Sequence, residues 1–140
     1  MIAKIKSYAL NGLTGIPVEV EVDAGNGLPA FDLVGLADTA VKEARDRVRA
    51  AIKNSGRSVP ARKITANFAP ADVKKEGSSF DLPLAIGVLV CTGQLLNDGN
   101  GAVFLGELSL DGTLRRINGV LPILISAKEK GFTKFVIPYD

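Results

Sequence analysis

The sequence predicts one mixed α/β (α+β) domain spanning residues 1–140. Three observations carry that expectation. The N-terminal segments alternate apolar and polar residues with a period of two. The stretch from Asp38 to Gly56 repeats its apolar residues at steps of three and four. Strand-like and helix-like segments then alternate to the C-terminus, with no internal repeat or low-complexity run. At 140 residues and 46% hydrophobic, with a mean hydropathy of +0.21, the chain is long and apolar enough for one core.

The elements follow in order. "MIAKIKSYAL" and "PVEVEVDAG" are strands, the second with Val18, Val20 and Val22 facing inward and Glu19, Glu21 and Asp23 facing water. Gly12, Gly15 and Pro17 mark the turn between them. "GNGLPAFDLVGL" supplies a turn and a short strand over residues 31–34. A helix follows, with Asp38 as its N-cap and Gly56 as its stop. Val41, Ala44, Val48, Ala51 and Ile52 form its apolar stripe, and Lys42, Arg45, Arg49 and Lys53 form a basic stripe beside it. Residues 63–69 are a strand, and a basic, glycine-containing loop leads to a buried helix over about residues 81–94. Asp81 is placed to cap that helix, and Pro83 is acceptable in its first turn. "AVFLGELSL" is one apolar strand, "DGTLRR" a hairpin-like return, residues 120–130 a last helix ended by Gly131, and "KFVIP" a last strand. The expected total is six or seven strands and three helices.

Composition removes several function classes. There is no histidine, so Ser-His-Asp and Cys-His sites and most zinc sites are absent. No GxxxxGK[ST] occurs, so no P-loop lies within these residues, and no cofactor site is expected in this segment. No acidic pair has metal-ligand spacing. The net charge of +2 points to no particular partner, and aromatic residues are too few for a base-stacking platform. The single cysteine, Cys91, excludes an internal disulfide and fits a reducing, cytoplasmic setting. No signal peptide is visible, and the longest apolar run, residues 82–90, is too short to span a bilayer. The end at Asp140 reads as the start of a longer protein.

What survives is a serine activated by a lysine, an arrangement that needs no histidine. Ser78 and Ser79 sit in "KKEGSSFD". Lys74 and Lys75 are close in sequence, but in an exposed basic loop they should stay charged and serve poorly as bases. From the residues alone, a polar loop near a helix start accounts for the two serines as well as a nucleophile does.

Three stretches, "GLADTAVKEARDRVRAAIKNSG", "ITANFAPADVKKEGSSFDLPLAIGVL" and "FLGELSLDGTLRRINGVLPI", resemble in order the N-terminal domain of bacterial Mg-chelatase-related AAA+ ATPases of the ComM/YifB type. The resemblance implies a Lon-protease-like domain of the ribosomal-protein/GHMP-kinase superfold. It implies a following ATPase domain that would bind ATP and Mg, a hexameric homo-oligomer, and a DNA motor of the branch-migration or helicase kind that acts in natural transformation. It does not imply chelatase activity. Lon-type peptidases carry their serine at the place of Ser79. Counting without gaps puts Leu121 at the place of their lysine. Leucine accepts no proton, and Lys128 and Lys130 lie about two helical turns further on. The resemblance therefore implies a dyad that has lost its base.

The charge distribution suggests a surface instead. Residues 41–75 hold ten Lys or Arg against three Asp or Glu. Lys42, Arg45, Arg49, Lys53, Arg57, Lys74 and Lys75, with Arg62 and Lys63 nearby in sequence, are the candidates for non-specific DNA contact. Two other classes stay open: a Lon-type Ser-Lys peptidase, and a protein-interaction module whose basic face meets an acidic partner.

Overall fold

The computed structural model describes residues 2–35, 37–96, 99 and 101–138. The described residues form eight strands and four helices: β1 (Ile2–Asn11), β2 (Thr14–Gly25), β3 (Ala30–Val34), α1 (Thr39–Lys42), α2 (Ala44–Asn54), β4 (Lys63–Ala69), α3 (Asp81–Cys91), β5 (Val103–Phe104), β6 (Glu107–Leu108), β7 (Leu114–Arg115), α4 (Val120–Glu129) and β8 (Phe135–Val136). Six strands make one mixed sheet in the order β3-β4-β2-β1-β5-β8, and β6 and β7 make a separate antiparallel ribbon.

The β1–β2 hairpin sets the register of everything else. It pairs from Ile2↔Asp23 to Asn11↔Thr14, leaving a two-residue loop of Gly12 and Leu13. Gly12 has φ +64, the positive value that a type II′ turn requires at its first central residue. The turn is thus shorter than the sequence suggests, and Gly15 and Pro17 lie inside β2. A Cβ at Gly15 would come within 2.9 Å of the Ser126 Cβ, so α4 can cross the strand closely there. Pro17 lies before the β2–β4 pairing, whose last pair is Glu19↔Ala69, so its missing N–H costs no bond to β4.

The alternation of β2 works as expected. Val18, Val20 and Val22 are fully buried, and with Ile5, Phe31, Ile64, Ala66 and Phe68 they form the floor of the main core. Helices α2 and α3 cover that floor. Their inward residues Ala44, Val48, Leu84 and Val88, with Val41 of α1, are all at 0% exposure, so the predicted apolar stripe is the buried one. Helix α4 packs against the hairpin, and a second small cluster of Tyr8, Val103, Leu105, Ile123 and Ala127 forms at that end.

Three expectations need correction. The first helix is interrupted at Glu43, which ends α1 and caps α2. The stretch 102–110 is two strands rather than one: Gly106 N–H donates to Ser79 O (3.0 Å) and Gly106 O accepts from Leu82 N–H (3.1 Å), which takes the backbone out of the sheet. Asp81 makes no cap: the N-cap position is Phe80, without a side-chain bond, and the Asp81 carboxylate is fully buried and used elsewhere.

Candidate functional site

The serine loop joins β4 to α3 and is held from several sides. Asp38 caps α1 through Val41 N–H (2.8 Å), and its other oxygen accepts from Gly77 N–H in the loop (3.4 Å). Asp38 N–H in turn donates to Lys75 O (3.0 Å). Lys75 itself overturns its assignment to an exposed basic face. It is fully buried, and its Nζ donates to Gly35 O (2.7 Å) and to Pro70 O. Burial holds its ammonium below the usual lysine range, with Asp72 pulling the other way. The two carbonyls replace the hydration lost, so Lys75 staples the β3–α1 connection and the start of the loop together. A cation enclosed in this way cannot reach a phosphate on the surface.

At the far end of the loop, Asp81 accepts a two-bond fork from Arg47: Nε to Oδ2 at 2.6 Å and Nη2 to Oδ1 at 3.0 Å. Leu108 N–H adds a third bond to Oδ2 (3.0 Å), and Arg47 Nη2 also donates to Ala40 O (3.0 Å). Burial pushes the Asp81 carboxyl up, against the pull of the Arg47 bonds, and those bonds raise Arg47 further. One carboxylate thus ties α1, α2, α3 and β6 together behind the serines.

In front of the loop lies a cleft of ≈ 620 Å³, lined by Ser78 and Ser79 with Asp38, Lys74, Glu76, Glu107, Arg116 and Ile117 among others. Ser79 is half-buried. Lys74 is exposed and paired with Glu76 at 3.3 Å. Lys75 is not among the described lining residues, so the lysine whose ammonium is depressed is turned away from the serines. Leu121 lies on the first turn of α4, 68% exposed, in a different groove with Leu13, Thr14 and Ile125. The described linings of the two grooves share no residue. The structure therefore does not gather Ser79, Leu121 and a lysine base into one pocket.

The remaining basic candidates fall into two places. Lys74 belongs to the serine cleft. Lys42, Arg45, Arg49 and Lys53 are all exposed along α1 and α2, as their spacing predicts. Arg45 donates to Lys42 O (3.3 Å) and Phe31 O (3.2 Å), and the Arg49 guanidinium sits 5.4 Å from the centre of the Phe31 ring. Arg49 and Lys53 then meet Arg57 and Arg62 around a groove of ≈ 370 Å³ that also contains Pro29, Val59, Pro60 and Ile64. No carboxylate is among its described lining residues. Arg57 is positioned by Gln94 O (3.1 Å) and Arg62 by Ala24 O (2.6 Å). Gln94 also holds the loop between them, accepting from Ser58 N–H (3.2 Å) and donating to Ser58 O (2.7 Å). Lys63, at the start of β4, is exposed beside Gly27.

Two further points bear on chemistry and location. Among the described residues no cluster of three acidic, Cys or His side chains could hold a metal ion, and no helix is long and apolar enough to cross a membrane. Cys91 is buried, and burial pushes its thiol up.

Comparison with known proteins gives the family. A family model described as "Subunit ChlI of Mg-chelatase" matches residues 20–140. Competence protein ComM of Haemophilus influenzae is 45% identical over 129 residues, covering 91% of this chain and 25% of that protein. The uncharacterized protein YifB of Escherichia coli is 44% identical over 137 residues, 97% of this chain and 27% of that protein. Lon protease 2 of Bacillus subtilis is 25% identical over 147 residues, 95% of this chain and 26% of that protein. The chain spans about a quarter of the length of these relatives, and in the ComM and YifB proteins the matched part is N-terminal.

Proposed function

Because the chain belongs to the Mg-chelatase ChlI-subunit family, as the N-terminal, Lon-protease-like segment of its ComM/YifB-type members, we propose that it is a non-catalytic module of a cytoplasmic, DNA-associated AAA+ motor. In that reading ATP and Mg are used by a downstream ATPase domain, and the protein works as a hexamer on branched or unwinding DNA. This module contributes contact with nucleic acid through the exposed side of α2. The observation that carries the reading is the convergence of Arg49, Lys53, Arg57 and Arg62 on one groove with no acid in its described lining. Four like charges held together repel one another, and a polyanion relieves that repulsion.

Binding of this kind ignores base sequence and weakens with salt. Four phosphate contacts correspond to a slope of about three in log affinity against log salt. Fluorescence anisotropy with labelled oligonucleotides, from about 25 to about 200 mM salt, measures it. Replacing Arg45 and Arg49 by Glu should abolish binding and leave the fold intact, since both are exposed and off the apolar stripe. Flat titrations at the lowest salt remove nucleic acid from this module.

A second reading, contact with a protein or a neighbouring subunit, is favoured by one feature: Leu13, Leu121 and Ile125 are 85%, 68% and 54% exposed around one apolar groove. Concentration-dependent self-association that Leu121→Glu abolishes is its expected signature.

A further inference from the structure

We infer that the groove between α2 and the start of β4 is a seat for single-stranded nucleic acid, with one unpaired base on its apolar floor and the flanking phosphates on its cationic rim. The inference rests on the nucleic-acid reading above and specifies the substrate class. Three features of the groove carry it.

The first is its shape. At ≈ 370 Å³ it is at the small end of ligand sites, which run from about 300 to 1,000 Å³. That volume admits one flat heterocycle. A duplex is far wider, keeps its bases stacked inside, and would touch only the rim.

The second is its division into floor and rim. Pro29, Val59 and Pro60 supply an apolar surface backed by the buried Ile64, and Arg49, Lys53, Arg57 and Arg62 surround it. Duplex binding that ignores sequence needs only the cations. An apolar floor is useful to a polyanion only if the polyanion can offer an apolar face, which an unstacked base does. The floor has no aromatic ring among its described residues, so the seat is for van der Waals contact rather than π-stacking, and no base is favoured.

The third is that the seat is built before any ligand arrives. Gln94 clamps Ser58 in both directions, Arg57 is anchored on Gln94 O and Arg62 on Ala24 O. Each guanidinium spends part of its donor set on the protein and keeps donors for a phosphate. Arg49 is steadied over Phe31. Arg49 and Lys53 are one helical turn apart, about 6 Å along the axis, within the reach of adjacent phosphates of one extended strand. For the three arginines little side-chain freedom is lost on binding, which favours a weak but specific preference for this form of the ligand.

The experiment compares four ligands of equal length against the 140-residue chain at about 25 mM salt: oligo(dT), oligo(U), an abasic deoxyribose-phosphate strand, and a duplex. Oligo(dT), oligo(U) or both should bind at least about fivefold tighter than the abasic strand, which has the same charge and no base to bury on the apolar floor, and tighter than the duplex. The two single strands together identify the sugar preferred. Lys53→Glu should weaken the single strand about tenfold. Lys53 is on the exposed side of α2, so the fold is not at risk, and circular dichroism checks it. Equal binding of the abasic strand and oligo(dT), or a duplex bound as tightly as either single strand, overturns the seat and leaves the general nucleic-acid contact standing. No binding by any of the four overturns both.

Discussion

The most exacting test of the architecture is to remove Arg47. Asp81 is fully buried, whereas the Arg47 side chain keeps 21% exposure. Taking one partner from a buried ion pair costs about 3–5 kcal/mol, because the other charge is left without compensation. Since Arg47 is partly solvated, Arg47→Met should fall at the low end, about 3 kcal/mol. A chain of 140 residues has a total stability of about 7–21 kcal/mol, so this one change removes a large share. Part of the loss is recoverable. In Arg47→Met/Asp81→Leu no charge is stranded, though the Leu108 N–H loses its acceptor at about 1–3 kcal/mol. The double variant should therefore be no less stable than Arg47→Met alone, which a double-mutant cycle reads as strong coupling.

The pH dependence has a definite sign. Burial already pushes the Asp81 carboxyl up, and the Arg47 bonds are the chief opposing influence. Without Arg47 the folded-state value rises further. Between the unfolded value, about 4, and that raised value, the native state holds a proton the unfolded chain lacks. Stability then falls as pH rises through the window and returns on acidification. Urea unfolding followed by circular dichroism at pH 7 and about pH 5 should show the deficit of Arg47→Met shrinking at the lower pH. A loss below about 1 kcal/mol would refute the placement of this pair in the core, and so would a deficit that does not change with pH.

Two other outcomes follow from the serine loop. Lys75→Met should destabilise by about 1–3 kcal/mol for each carbonyl left without a donor. Because burial lowers the folded-state value of Lys75, the native state releases its proton before the unfolded chain does. The wild type should therefore gain on the variant as pH climbs toward 10.5, and an unchanged difference in alkaline urea titrations contradicts the burial. Ser79→Ala should leave binding and stability within about 0.5 kcal/mol. The wild type should cleave no unfolded protein substrate, and labelling of Ser79 by a serine-directed phosphonate contradicts that.

What the sequence revealed, and what it hid, divides along a physical line. Strands β2 and β4 and the inward face of α2 were legible because burial repeats with the period of the element, as in Val18, Val20 and Val22. The exposed basic stripe was legible for the same reason. Lys75 was not. Its acceptors are the backbone carbonyls of Gly35 and Pro70, and a carbonyl leaves no mark in a sequence. Two adjacent lysines in a polar loop look alike, yet Lys74 is on the surface and Lys75 in the core. Arg47 did carry a signal. It falls three residues after Ala44 and four before Ala51, so it belongs to the apolar side of its helix. A cation there needs acceptors within the fold, and Asp81, at the head of an otherwise apolar helix, is the acid that supplies two of them. The groove was half legible: its cations could be counted, but the bonds that fold residues 57–62 back beside α2, from Arg57 N–H to Ile52 O and between Ser58 and Gln94, leave no mark in the sequence.

This division bears on what the serine loop is for. The bonds that hold it come from the Lys75 ammonium, the Asp38 and Asp81 carboxylates, and the backbone of Gly77 and Ser79. None of them uses a serine hydroxyl. The loop joins α1, the end of β4, α3 and the Gly106 break in the sheet, so its shape is set by the packing of the domain whatever chemistry occurs in front of it. A catalytic dyad places different demands on a chain: it needs a lysine desolvated and aimed at the serine. Here the desolvated lysine points into the core, and the cleft presents Lys74 and Arg116 among Asp38, Glu76 and Glu107. On the proposed reading, a Lon-like frame with that cleft keeps its fold without its reaction. The cations that remain together on its surface, around the α2–β4 groove, are then where the proposed nucleic-acid contact is most directly tested.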